Sequence, residues 1–490
     1  MKPIKIALTL LCALLLLSTL PPISFGQQTS TKAFLALVTK PRVSSPPTPA
    51  PVPTPGPSPA AGSRVASAPY FQGDIPFAET SIFWFGKVST DTNYTDVRVA
   101  YNDDHLFVYI TVFDRRLWYD PEPTSNDLSS WDAATLYLDS STGTGISPTS
   151  IRLDAQLHNT EQKPYTAYYR GSTAGWQTAT LNISTQPAWR GERLNDDTDD
   201  RGWGMTYTIP FASLGLSGPP AQGSLWRMAL IVHDRDTQQG PALADSIWPE
   251  QARLDAPQSW GSLRFGLPSY MPPTIQSPQT YTIRQGLNGA HVQDAAVGGG
   301  SICGEGMDFW TEWGNKNRNG ENDAAVQNQS DIADWPCFSK FYLTIPLDSI
   351  PADARIQSAD LLLHQMGNSG TASNGQLPPP SYIQVLTVGD DWNEQTITWN
   401  TAPYAVDTIS RTWIEVIEGC GAPGGMAWPC VPRHFDVSRA VAEARAKGQP
   451  LRIVLYAADS DYSTGKYFIT SDTGDWNAEG RPTLIVKAGK

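Results

Sequence analysis

"YNDDHLFVYITVFD", residues 101–114, decides how the first half of this chain is read. A turn at Asn102–Asp104 is followed by strict alternation. Leu106, Val108, Ile110 and Val112 fall on one face, and Phe107, Tyr109, Thr111 and Phe113 on the other. A period of two is the mark of a β-strand. "TLYLD", "IRLDAQL", "TAYY", "ATLNIS", "GMTYTIP" and "WRMALIVHD" repeat the pattern between Gly-, Pro-, Asn- and Asp-rich breaks. In the second half "KFYLTIPL", "SADLLLH", "YIQVLTV", "RTWIEVI", "LRIVLYAA", "KYFITS" and "TLIVKA" do the same. Short strands punctuated in this way predict an all-β chain of two antiparallel, jelly-roll-like β-sandwich domains, over 67–267 and 268–490. One helix is expected in "DVSRAVAEARAKG". Val437, Ala440, Val441 and Ala444 form its apolar stripe, Asp436 or Ser438 caps its start, and Gly448 ends it.

Upstream of the sandwiches the composition changes. Residues 1–26 carry Lys2 and Lys5, an apolar run from Ile6 to Leu20, and small residues at Ser24 and Gly26. That order is a signal peptide, and the run is short for a membrane span, so no stable membrane insertion is expected after cleavage. Residues 27–66 form a Pro-rich linker, which favours an extended spacer over helix or sheet. A secreted, extracellular or cell-surface protein is expected. The 490-residue chain has a formal charge of −13, which argues against nucleic acid and anionic membranes as partners.

Five cysteines are present, and Cys12 falls in the apolar leader. The other four, Cys303, Cys337, Cys420 and Cys430, read as two disulfides in an exported chain, with three pairings open. Nearest-neighbour pairing, Cys303–Cys337 and Cys420–Cys430, is favoured. No paired C-x-x-C is present, which argues against a zinc site.

Seventeen tryptophans exceed what cores alone need. Indole suits sites that are apolar yet partly wet, and a sugar ring is one such partner. Trp203, Trp226 and Trp260 lie in strand-like motifs and are expected in the core. Trp118, Trp131, Trp176 and Trp189 lie in or beside loops and are candidates for exposure. "LNDDTDDRG", with Asp196, Asp197, Asp199 and Asp200, offers carboxylates for a Ca2+ ion, but it lacks the EF-hand order and a solvated acidic turn is the favoured reading. "HDRDTQQG", residues 233–240, has the same ambiguity.

Four stretches of the first half, "YNDDHLFVYITVFD", "WDAATLYLD", "GWGMTYTIPFASLG" and "PQSWGSLRFG", occur in an order that resembles the family 9 carbohydrate-binding module, a DOMON-like β-sandwich. The resemblance implies binding of sugar-chain ends, structural calcium and no catalysis. It also implies an aromatic clamp. Trp131 is the nearest match to one jaw. The place of the other holds Arg253 and Leu254, with Trp248 the nearest tryptophan upstream.

In the second half, "FYLTIPLDSIPADARIQSADLLLH", "DDWNEQTITWNTAP", "HFDVSRAVAEARAKGQPLRIVLYA" and "KYFITSDTGDWNAEGRPTLIV" resemble the DNRLRE domain, some relatives of which are grouped as the family 96 carbohydrate-binding module. The alternation of "TITW" puts Ile397 and Trp399 on one face, expected in the core, with Trp392. Binding candidates lie instead in two loops outside the pattern: Trp310 and Trp313 in "CGEGMDFWTEWGNKNRNGEND", and Trp428 in "GMAWPC". A disulfide near each loop would hold its aromatics ready for a ligand.

"GCGAPG", residues 419–424, matches G-x-G-x-x-G, but no helix opens after it. Neither H-E-x-x-H nor G-x-S-x-G is present. The expectation is therefore an exported, non-catalytic protein that binds a polysaccharide or other glycan and has no organic cofactor. Two alternatives stand: a structural surface or matrix adhesion protein, and an accessory subunit of polysaccharide-degrading machinery acting with an enzyme or surface-protein partner.

Overall fold

A computed structural model describes residues 64–490 except 125–126, 142, 160–164, 301–302, 305, 332–335, 371–377 and 422–425. The expected signal peptide and the linker up to residue 63 lie outside the described residues, as do residues 422–424 of "GCGAPG".

The first sandwich contains β1 (Val65–Ala68), β2 (Ser81–Gly86), β3 (Tyr94–Tyr101), β4 (His105–Phe113), β5 (Ala133–Asp139), β6 (Ser150–Gln156), β7 (Thr166–Ser172), β8 (Gly175–Thr178), β9 (Ser184–Arg190), β10 (Gly202–Pro210), β11 (Leu225–His233), β12 (Ser246–Trp248) and β13 (Gly261–Phe265). Its outer sheet has the order β1-β13-β11-β5-β6-β7-β8, with β12 also on β11. Its inner sheet is β2-β3-β4-β10-β9. All pairs are antiparallel except β1 with β13.

The second sandwich contains β14 (Gln279–Arg284), β15 (Gln293–Gly298), β16 (Asp323–Val326), β17 (Ser339–Ile345), β18 (Arg355–Asn368), β19 (Ser381–Val388), β20 (Ala405–Ile414), β21 (Val431–Asp436), helix α1 (Ser438–Ala446), β22 (Leu451–Ala457), β23 (Lys466–Ile469) and β24 (Thr483–Gly489). One sheet is β14-β24-β18-β23-β16 with β21 on β18, and the other is β15-β17-β22-β19-β20. Val437, not Asp436 or Ser438, occupies the N-cap of α1 and makes no side-chain cap; Asp436 instead accepts from Ser438 N at 2.9 Å, and Gly448 follows the helix at φ 65°. Val437, Ala440 and Val441 bury its stripe in the core, as the spacing predicts.

Three apolar layers hold four sheets together. Leu106, Val108, Ile110 and Val112 enter the first sandwich's own core, with Phe83 and Phe85 from β2. Phe341, Leu343, Ile453 and Leu455 enter the second's. The third layer lies between the sandwiches. Ile82, Trp84, Tyr94 and Phe113 meet Trp313, Tyr342, Trp392, Trp399 and Tyr456 there. The inner sheet of each sandwich is therefore apolar on both faces. Alternation in β4 divides residues between two buried layers, not between core and water.

Polar groups also cross this junction. Lys340 is buried, with its ammonium 3.5 Å from the Trp399 ring centre and 4.2 Å from that of Trp84. It donates to Tyr94 Oη at 2.6 Å. Tyr94 and Tyr456 hydroxyls donate in turn to Asp96, at 2.7 and 2.9 Å. Burial pushes the Lys340 ammonium well below its usual range, with Asp96 pulling the other way. Arg264 and Arg439 converge on Asp407 at 2.9 and 3.0 Å.

Two expected strands differ. Residues 179–183 of "ATLNIS" form no strand, yet Leu181 and Ile183 still pack on the core. "TITW" is a turn closed by Thr396 N and Ile397 N donating to Asn393 O, at 3.0 and 2.9 Å. Trp399 and Trp392 are buried as expected, but in the junction.

Candidate functional site

The strand β4 ends at Phe113, and Asp114 follows it out of the sheet. Trp131 and Asp132 lead into β5, and Asp234 and Asp236 follow β11. Pairing of β5 with β11 sets His233 beside Ala133, so the last two segments emerge together. Carboxylate oxygens of Asp114, Asp234 and Asp236 all lie within 4.8 Å of one another. Asp114 and Asp234 are buried and Asp236 is half-buried. Asp132, also buried, accepts from Trp118 N at 2.6 Å and Arg235 N at 2.9 Å.

Burial dominates the electrostatics of this cluster. It raises the Asp114 and Asp132 carboxyls well above the usual range, with neighbouring aspartates adding to it. Asp234 is pushed up to about 8, by burial first and then by Asp236. Burial raises Asp236 against the pull of Arg116 and Arg115. Asp234 Oδ1 is enclosed and has no hydrogen-bond partner. Converging hard oxygens with one acceptor unsatisfied are what a calcium ion requires.

The acidic loop that the sequence offers for that ion is occupied otherwise. Asp199 pairs with Arg115 at 2.9 Å and Asp197 with Arg116 at 3.5 Å. Asp196 accepts from the Thr198 amide and hydroxyl. Asp200 is buried, accepts from Glu192 N at 2.9 Å, and is raised to about 6 by burial against its backbone hydrogen bonds. Those four carboxylates do not converge, whereas Asp114, Asp234 and Asp236 do, so the cation candidate moves to the cluster that includes Asp234 and Asp236 of "HDRDTQQG". Asp114 and Asp132 escaped sequence reading. Their only signal was an aspartate just after or just before a strand.

Trp131 borders the cluster. It is half-buried, and the Arg235 guanidinium lies 4.7 Å from its ring centre. Arg235 is itself fixed by donating to Gly240 O at 2.6 Å and to Ser130 O. The result is an indole with one face held by a cation and part of its surface in water.

The other tryptophans separate sharply. Trp248 is 1% exposed and packs 4.3 Å from the Phe83 ring, so it forms no second jaw. Trp118 is buried beside Asp132. Trp310 and Trp313 belong to the junction between sandwiches, with Trp313 stacked on Phe309 at 4.8 Å and donating to Pro336 O at 3.0 Å. A buried indole presents no face to a ligand, and the binding expectation for these four is corrected. Arg253 is exposed and pairs with Asp255 at 3.3 Å, away from any clamp with Trp248. Trp203, Trp226 and Trp260 are core residues as expected, and Trp176 and Trp189 are half-buried. Trp428 is exposed, and beside it stands Trp476, which the sequence reading did not single out.

Both expected disulfides are formed, Cys303–Cys337 and Cys420–Cys430. No helix among the described residues is long and apolar enough to cross a membrane. One cleft of about 140 Å³ is lined by Leu138, Pro148, Ile151, Arg170, Leu216 and Trp226 among others. Ligand pockets usually measure roughly 300–1,000 Å³, so this cleft is small for an organic ligand.

No protein-family model matches this chain, and no curated protein sequence does. Among solved structures, a family 9 carbohydrate-binding module of Caldicellulosiruptor kristjanssonii in complex with cellotriose aligns at 14% identity and a TM-score of 0.30, over 43% of this chain and 100% of the other. The same kind of module with glucose aligns at 14% identity and 0.29, with the same coverage. A Bacteroides uniformis ATCC 8492 protein provisionally assigned to carbohydrate binding aligns at 12% identity and 0.31, over 42% of this chain and all of the other.

Proposed function

We propose that this is an exported, non-catalytic protein that binds a neutral glycan at the loop edge of its first sandwich. The observation that carries this reading is Trp131: an indole kept partly in water while Arg235 and the buried Asp132 hold its loop in place. An aromatic face packs against the C–H surface of a pyranose, and preorganisation lowers the ordering cost of a weak contact. Asp114, Asp234 and Asp236 would hold a calcium ion, which stiffens the loops that carry Trp131 without touching the sugar.

The test is retention of the secreted chain on a panel of neutral and acidic polysaccharides, beside its Trp131→Ala variant. The expected result is retention on one neutral class, weakened about tenfold by the substitution, the equivalent of ~1.4 kcal/mol. Retention on none would overturn the reading and favour a matrix or adhesion role.

A further inference from the structure

The geometry points to a second glycan-binding site, on the second sandwich, built from Trp428 and Trp476. This inference rests on the reading of the chain as carbohydrate-binding, but on different residues of a different sandwich.

Trp476 is 69% exposed and Trp428 39% exposed. Their ring centres are 5.1 Å apart and their planes perpendicular, so the indoles meet edge to face. Exposing two adjacent indoles is unfavourable unless something covers them, and such patches mark interaction sites.

Both rings are tied to the fold by contacts among the described residues. The Trp428 turn is closed by the Cys420–Cys430 disulfide and by Gly421 N donating to Met426 O at 2.8 Å. Gly421 has φ 73°, and a Cβ there would lie 2.7 Å from Trp428 Nε1, so this indole lies directly against the glycine. On the other side a Cβ on Gly474 would lie 2.9 Å from Trp476 Cδ1. Arg481 clamps the Trp476 turn by donating to Thr473 O at 3.0 and 2.7 Å and to Asp475 at 2.8 Å. His364 of β18 approaches Gly480 O at 3.2 Å, which ties the same turn to the sheet. Neither indole is on a loose tail.

The surroundings select the ligand class. Asp475 is exposed as an acceptor. Glu479 belongs to the turn that carries Trp476, and His434 of β21 pairs with Asp360 at 2.6 Å. A carboxylate and a guanidinium thus belong to the same turn as Trp476, with Arg481 donating to Asp475 at 2.8 Å. That suits the mixed hydrogen bonding of neutral sugar hydroxyls, and the acidic chain disfavours a polyanion. The exposed surface of the two indoles supplies an apolar face on which a pyranose can stack. Two sites on one chain would raise its hold on a polymer beyond either site alone.

The experiment is calorimetric titration of the mature chain with cellohexaose, xylohexaose and mannohexaose, repeated on Trp476→Ala and Trp131→Ala. Sedimentation velocity and far-UV circular dichroism accompany each. Trp476 is mostly in water, so its removal leaves folding intact. The expected result is two sites per wild-type chain and one in each variant. Loss of all binding in Trp476→Ala alone would support this site and sink the Trp131 reading. Unchanged stoichiometry and affinity in Trp476→Ala would overturn this site while leaving Trp131 standing. A wild-type dimer abolished by Trp476→Ala would also overturn it, because a second copy would then be the partner. No binding of any sugar by the wild type would overturn both.

Discussion

Asp294, on β15, shows how one buried carboxyl ties stability to pH. It accepts from Ser471 N at 2.6 Å, but Oδ1 has no partner. Burial raises it from 3.8 to about 8, against the Ser471 hydrogen bond. A raised carboxyl means that the folded state holds its proton more tightly than the unfolded chain. Its contribution to stability is full at acid pH and is lost as pH rises from about 4 through about 8. Asp294→Asn removes that titration. Thermal melts from pH 4 to pH 8 should show the variant gaining on the parent by at least about 1.4 kcal/mol, the free energy of a tenfold difference in proton affinity between the folded and unfolded chain. A constant difference between the two proteins across that range would contradict this. The existence of Asp294 was plain in the sequence, but its unpartnered oxygen was not, because it depends on residue 471.

At the scale of elements, loops decide the chemistry and strands only place them. Asp114, Asp132, Asp234 and Asp236 come from three strand ends that are far apart in sequence and adjacent in space. Calcium should raise the melting temperature of the full chain, and chelator should lower it. Asp234→Asn should abolish most of that response, because it replaces a charged ligand by a neutral one. Asp197→Asn, on the loop paired with arginine, should leave the response intact. The reverse pattern would return the cation to the 194–202 loop. The sequence offered that loop as a candidate because it carries four aspartates within five positions. Acids close together on a surface turn find arginines and amides, whereas burial of acids from different segments leaves Asp234 Oδ1 without a partner.

For the whole molecule, the junction is the main consequence of folding. Burying a large apolar side chain contributes roughly 1.5–3 kcal/mol. Ile82, Trp84, Phe113, Trp313, Tyr342, Trp392, Trp399 and Tyr456 all do so between the sandwiches. Even half that set matches the net stability of an ordinary domain, roughly 5–15 kcal/mol. The chain from residue 64 should therefore unfold in one calorimetric transition. Residues 64–267 or 268–490 expressed alone should bind an apolar dye and aggregate. Two halves that each melt cooperatively at the parent temperature would refute this.

Most strands, the helix, the inward row of β4 and the nearest-neighbour disulfides were determined by local sequence. Period and short separations are properties of neighbouring residues. Which tryptophans meet water was decided only by tertiary structure. Trp313 and Trp428 both sit in disulfide-linked loops, yet one is sealed between two sheets and the other stands exposed beside Trp476. Alternation states that a strand has two faces. Whether the second face meets solvent or another sheet depends on contacts hundreds of residues away, such as Tyr94 with Trp399, and no local pattern encodes those.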